Sequence, residues 1–184
     1  MLHRFLPTLT LVGLLHAAPP AELPATDGKS YPPLDAAGNK ATVLFFVSPF
    51  CSTTRPFMKE INAISADYAD KATITLVHSD SEITIEVAFQ HAELEQVKAR
   101  VLIDKSQQLA KHVGATTTPE AVIVSPAGEV MYRGRINDLY LGPTKRQRSA
   151  TTRDLRDALD AVHAGKPVSS PQQPAQGCKI GGLN

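Results

Sequence analysis

A chain of 184 residues is long enough for one domain with a sizeable core, and 42% apolar with 20% charged residues is an ordinary globular composition. A formal charge of +1 excludes a bulk field directed at nucleic acid or at an anionic membrane surface.

Residues 1–17 read as an export signal. His3 and Arg4 supply a short positive region, Leu6 to Leu15 is mostly apolar, and Ala17 and Ala18 are small. Cleavage is expected after Ala17. The alternative is an uncleaved anchor, which would be the chain's one membrane contact. An exported, periplasmic or otherwise extracytoplasmic protein meets an oxidising compartment. There its two cysteines, Cys51 and Cys178, are either paired or used.

Residues 18–40 are rich in Pro, Ala and Gly and form an extended lead-in that ends in the turn 35-DAAGNK-40. The domain proper is expected over 41–164. The run 41-ATVLFFVS-48 is a strand buried on both faces. Phe57, Ile61, Ile64 and Tyr68 then fall on one face of a helix. A second buried strand, 72-ATITLVHS-79, follows. Residues 81–98 mix both periods and are read as helix, because a parallel crossover belongs between buried strands. Next come a short strand at 99-ARVLID-104, a helix capped by Ser106 and closed by Gly114, and a hairpin of 120-EAVIVS-125 with 129-EVMYRG-134. A polar loop covers 135–150. A last helix opens at Thr151, with Asp154 in a capping-box position. Residues 165–184 carry Pro, Gln, Ser and Gly without a core-forming period and are expected to be a flexible tail. The order predicts a three-layer α/β/α sandwich around a central mixed sheet.

Cys51 sits in the turn 48-SPFCSTTR-55, at the C-terminal edge of a buried strand and near the start of a helix. Reactive groups collect at that edge in open α/β sheets. The unpaired amides of a helix N-terminus favour a thiolate and lower the thiol pKa. Ser52, Thr53 and Thr54 bring hydroxyls that could donate to sulfur, and Arg55 brings a cation.

This element order, with Cys51 at the first strand-to-helix turn and Thr118-Pro119 at the start of the hairpin, resembles the thioredoxin fold. More narrowly it resembles exported bacterial redoxins of the alkyl hydroperoxide reductase and thiol-specific antioxidant branch. Dithiol thioredoxins carry Trp-Cys-x-x-Cys, where this chain has Phe50, Cys51, Ser52, Thr53 and Thr54. Peroxiredoxins carry Pro-x-x-x-Thr-x-x-Cys, where this chain has Leu44 and Ser48 in place of Pro and Thr. The resemblance implies a catalytic Cys51, Thr54 at the lost second-cysteine position, and a cis Thr118-Pro119 bond that turns backbone groups toward the sulfur.

Phe50, Arg55 and Thr118 are expected at the rim of the site, and the hairpin geometry is expected to bring Arg133 and Arg135 to it. It also brings the 135–150 loop there, where Lys145, Arg146 and Arg148 either recognise an acidic partner or form a solvated face. His78, His91, His112 and His163 lack metal-ligand spacing, so no metal and no other cofactor is expected.

The expected activity is thiol–disulfide exchange or peroxide reduction through Cys51, on a thiol or disulfide protein partner or a small peroxide. The alternative is a non-catalytic partner-binding module or copper carrier. With the local second cysteine gone, Cys178 is the expected resolving thiol. The thirteen residues 165–177 extend to roughly 43 Å, enough to fold back over the sheet edge. Pairing between chains, or service as a ligand or attachment point, remains an alternative for Cys178.

Overall fold

The computed structural model describes residues 18–168 and 172–183. The expected signal at 1–17 lies outside them. The lead-in forms a small antiparallel ladder of β1 (Leu23–Pro24) and β2 (Ser30–Tyr31), with Leu23 and Ala25 buried.

The frame then alternates strand and helix: β3 (Thr42–Phe46), α1 (Thr54–Asp67), β4 (Thr73–His78), α2 (Ile85–Leu94), β5 (Arg100–Ile103) and α3 (Gln108–Val113). Every residue of β3 is buried, as expected of a β-branched and aromatic run covered on both faces. β4 pairs parallel with β3 and with β5, and α1 and α2 supply the crossovers. Two-residue β6 (Thr117–Thr118) leads into β7 (Glu120–Val124), which runs antiparallel to β3 and turns back as β8 (Val130–Gly134). The central sheet has the order β5-β4-β3-β7-β8 and is mixed. A small hairpin of β9 (Tyr140–Gly142) and β10 (Lys145–Arg146), then α4 (Asp154–His163) and β11 (Cys178–Lys179), complete the chain.

Strand alternation splits the core into two. Val43, Phe45, Leu76, Ala121 and Ile123 face α1, α2 and α4, meeting Phe57, Met58, Ile61, Ile64, Ala88, Leu155 and Leu159. Leu44, Phe46, Val77, Val122 and Val124 face α3, Leu23, Ala25 and Ile180. Each fully buried side chain of this size contributes about 1.5–3 kcal/mol. The four from α1 are enough to fix that helix, and with it the turn carrying Cys51.

Three local expectations change. The start of α3 is capped by the Asp104 carboxylate, which accepts from Leu109 N at 3.1 Å and Ala110 N at 2.9 Å; Ser106 does not provide the cap. Helix α4 begins at Asp154 and not at Thr151. The amides of Thr151 and Thr152 donate to Asp138 instead, at 2.6 and 3.0 Å, so the capping box gives way to a longer-range carboxylate. The 135–150 segment is exposed toward its tip and not throughout. Its base buries Ile136, Asn137 and Asp138.

Residues 172–183 are not free of the domain, contrary to the expectation for the tail. Arg135 N donates to Gln173 O at 3.0 Å, and Ile180 is 2% exposed in the second core. Ile180 and the partly buried Leu183 suffice here because backbone pairing does the rest.

Candidate active site

β3 ends at Phe46, opposite the end of β4 and the start of β7. The chain must turn there, and Ser48 organises that turn. Its hydroxyl accepts from Phe50 N at 3.2 Å, and its carbonyl accepts from Cys51 N at 3.3 Å. Thr54 N donates to Cys51 O at 3.0 Å, one residue into α1. The first turn of α1 carries no acidic residue of its own at the positive end of the helix beside Cys51.

Cys51 is bonded to Cys178, with the two Cα atoms 5.8 Å apart. β11 brings Cys178 there by pairing antiparallel with β6, so that Cys178 faces Thr118 and Lys179 faces Thr117. The Thr118-Pro119 peptide bond is cis. The Thr118 carbonyl oxygen lies 3.2 Å from Cys51 Sγ, and Thr118 Oγ1 lies 3.5 Å from Cys178 O.

The tail is held along its length. Ile180 N donates to Thr116 O at 3.0 Å, and Gly181 N to Asp80 Oδ1 at 3.0 Å. Gly181 O accepts from Ser81 N at 3.1 Å and from Gln107 Nε2 at 2.7 Å. Gly177 passes so close to β6 that a Cβ would lie 2.1 Å from Thr118 O. Glu120 stabilises the other side of this ladder, since its carboxylate accepts from Thr116 N and Thr117 N at 2.8 and 3.1 Å. Burial pushes the Glu120 carboxyl up, against these amides and Arg133.

A cleft of about 230 Å³ opens beside the disulfide, lined by Phe50, Asp80, Ser81, Glu82 and Lys179. A second, of about 330 Å³, is shared by Cys51, Ser48, Arg55, Gln90 and His91. Behind His91 lies His78, with Nδ1 of the first 3.4 Å from Nε2 of the second. Burial lowers the His78 pKa to about 3, and burial also lowers that of His91.

The structure brings Cys51, Cys178, Thr118 and Pro119 together. Phe50 stands on the rim, 62% exposed. Arg55 lines the second cleft and lies 3.8 Å from Glu95. The Thr54 side chain does not supply a second sulfur-directed hydroxyl, since its Oγ1 accepts from Ser48 N at 3.4 Å and braces the turn. Arg135 is turned to α4, where its guanidinium pairs with Asp154 at 3.0 Å. Among the described residues no group of three or more His, Cys, Asp or Glu is placed to hold a metal ion, and no helix is long and apolar enough to cross a membrane.

Sequence reasoning did not find Gly177, Asp80, Gln107 or the His78–His91 pair. Gly177 beside Cys178 was the one available signal, a residue suited to close backbone approach.

The AhpC/TSA family matches residues 14–133. A conserved protein of Geobacillus kaustophilus described as uncharacterized is 27% identical over 95% of this chain and 94% of its own, with a TM-score of 0.77. A hypothetical protein of Sinorhizobium meliloti is likewise 27% identical, covering 90% and 91%, also with a TM-score of 0.77. The exposed lipoprotein thioredoxin of Streptococcus pneumoniae is 22% identical over 61% of this chain and 85% of its own, at a TM-score of 0.54, and shares the fold. No curated protein matches the chain.

Proposed function

This chain belongs to the AhpC/TSA family, and we propose that within its thioredoxin-like fold Cys51 and Cys178 are the working pair of a thiol–disulfide oxidoreductase. The observation that carries this reading is the Cys51–Cys178 bond, closed at the strand edge beside Thr118. It supplies the resolving thiol that Thr54 cannot.

In the reduced protein the Cys51 thiolate attacks one sulfur of a partner disulfide. A Cys51–partner disulfide forms and the other partner sulfur leaves as a thiolate. Cys178, deprotonated, then attacks Cys51 Sγ. The intramolecular bond forms and the second partner thiolate leaves, so the partner disulfide is reduced by two electrons and the protein is oxidised by two. Thr118 O, 3.2 Å from Sγ, is placed to accept from the Cys51 thiol before attack. Attack on a peroxide would instead give a Cys51 sulfenic acid, which Cys178 would condense to the same bond with loss of water. Leu44 and Ser48, standing where peroxiredoxins have Pro and Thr, rank this second. The export-type residues 1–17 and a covalently closed cysteine pair favour an extracytoplasmic site of action.

The test offers reduced Cys178→Ser protein glutathione disulfide and, separately, hydrogen peroxide, and reads Cys51 by mass spectrometry. A glutathione adduct on Cys51 is expected, and in wild type its conversion to the Cys51–Cys178 bond. A Cys51 unmodified by the disulfide overturns the reading. A sulfenic acid formed much faster than the adduct reassigns the substrate to peroxide.

A further inference from the structure

The cleft of about 230 Å³ beside the disulfide is acidic, and one of its carboxylates is only half satisfied. Asp80 is 7% exposed. Its Oδ1 accepts from Gly181 N at 3.0 Å, while Oδ2 is buried and accepts no hydrogen bond among the described residues. A carboxylate oxygen that is neither solvated nor bonded leaves its charge uncompensated. Glu82 adds a second, exposed carboxylate to the same wall, and Lys179 is the one cation among the lining residues. Two carboxylates against one ammonium leave the cleft negative. Phe50 contributes an exposed aromatic side chain to it, and aromatic rings attract cations.

The protein with its bond closed needs an electron donor before it can act again. The two sulfurs differ in how readily such a donor reaches them. Cys51 is 4% exposed, and Cys178 is half-buried. They differ also as leaving groups, since a Cys51 thiolate forms beside the positive end of α1.

We propose that this cleft is the entry site of the reductant, and that the reductant is a thiol carrying an ammonium or guanidinium group within a few bonds of its sulfur. This rests on the thiol–disulfide reading and names the class of its electron donor. The cation compensates Asp80, which acts through its field because it is covered from water, and meets Glu82 and Phe50, which are exposed. The thiolate of the same molecule attacks Cys178 Sγ. A reductant–Cys178 disulfide forms, the Cys51–Cys178 bond breaks, and Cys51 leaves as a thiolate. A second reductant thiolate then attacks the reductant sulfur of that adduct. The reductant's own disulfide forms and Cys178 leaves as a thiolate, so two thiols have given up two electrons and the protein has gained them. Charge sets the selectivity. An aminothiol brings its thiolate with no net charge, whereas a carboxylated thiol brings a doubly negative anion to a negative wall.

The experiment uses oxidised, full-length protein and three small monothiols: cysteamine, 2-mercaptoethanol and 3-mercaptopropionate. Acid quenching and labelling of free thiols give the rate of bond opening, expressed per thiolate so that differences in thiol pKa do not enter. Cysteamine is expected to open the bond at least about tenfold faster than 3-mercaptopropionate, and high salt is expected to shrink that ratio. Asp80→Asn keeps an oxygen for Gly181 N, and combined with Glu82→Gln it is expected to bring the ratio close to one. Lys179→Gln, a change at an exposed position, is expected to raise it. Peptide mapping after substoichiometric cysteamine is expected to find the adduct on Cys178. The peptides Arg-Cys-Arg and Glu-Cys-Glu test whether the cation comes from a small molecule or from a protein segment.

Equal rates per thiolate overturn the proposal. So does a cysteamine advantage that the Asp80 and Glu82 changes leave intact, or an adduct on Cys51. Should the double variant fail to fold, a ratio left unchanged by Lys179→Gln overturns it. An advantage for cysteamine assigns the cleft to a small aminothiol, and one confined to Arg-Cys-Arg assigns it to a basic protein segment. Failure of every thiol, dithiothreitol included, to open the bond in the folded protein instead removes the oxidoreductase reading beneath.

Discussion

The imidazoles of His78 and His91 meet edge to face, with ring centroids 5.2 Å apart and planes at 75°, His91 lining the cleft that Cys51 shares and His78 behind it. Neither ring carries a proton easily. Burial depresses both pKa values, and at His78 the neighbouring His91 adds to the effect. Above pH ~6.5 folded and unfolded chains are both neutral at these positions, and stability is unaffected. Below it the unfolded chain takes up protons that the folded one refuses. Stability then falls by up to about 1.4 kcal/mol per pH unit for each histidine, at His78 until pH approaches its folded value of about 3. Urea midpoints at pH 7.5 and 5.0 should therefore differ, and His78→Gln should shrink the difference. An unchanged difference would mean that the acid sensitivity arises elsewhere.

Gly177→Val should slow closure of the disulfide without weakening the rest of the fold. The substituted Cβ would collide with Thr118 O, at 2.1 Å, so β11 must move off β6 to make room. Reoxidation of the reduced protein by glutathione disulfide, followed by thiol quenching, should show longer-lived Cys51–glutathione adduct. Reoxidation at the wild-type rate would refute the close approach.

The 135–150 segment should divide into a dispensable tip and a structural base. Lys145, Arg146 and Arg148 are exposed, and replacing all three with Gln should leave thermal unfolding nearly unchanged. Asp138 accepts from Thr151 N and Thr152 N and from Thr151 Oγ1, and these bonds overcome burial to hold its carboxyl far below the usual range. Asp138→Ala strands two amides at a cost of about 1–3 kcal/mol each. Its melting temperature should drop by several degrees. Equal melting of the two variants would contradict the division.

Cys51→Ser, Cys178→Ser and reduced wild type should share one stability, below that of the oxidised protein. Each lacks the same bond. Closing a loop across 127 positions stabilises by up to on the order of 5 kcal/mol in the chain-entropy picture. Denaturant midpoints with and without reductant measure this. Cys51→Ser should also lose the two-electron reduction of glutathione disulfide, leaving at most a single glutathione adduct on Cys178, and full reduction by that variant would exclude Cys51 as the nucleophile.

The central sheet was legible because β3 and β4 announce themselves as short apolar runs, and α1 by its spacing of Phe57, Ile61 and Ile64. The absence of a cysteine at Thr54 pointed to Cys178, since a lone thiol without a local partner needs one from afar. The docking of the tail was not legible. β11 is two residues long, and Ile180 and Leu183 are too few to set a period. Its hold comes from Asp80, Ser81, Gln107 and Thr116, groups that only the fold assembles. Ser106 and Thr151 carried correct local capping chemistry but were outcompeted by Asp104 and Asp138, carboxylates reaching in from neighbouring segments. His78 and His91 lie on different elements, and no spacing rule joins a strand end to a helix middle.

The separation of 127 positions between Cys51 and Cys178 also has a meaning in time. At about 5–20 residues per second, the ribosome finishes Cys178 roughly 6–25 s after Cys51. For that interval the chain carries the Cys51 thiol without the cysteine it is bonded to in the folded protein. Whatever first meets Cys51, whether another thiol, an oxidant or a folding helper, does so before the fold can offer its own answer.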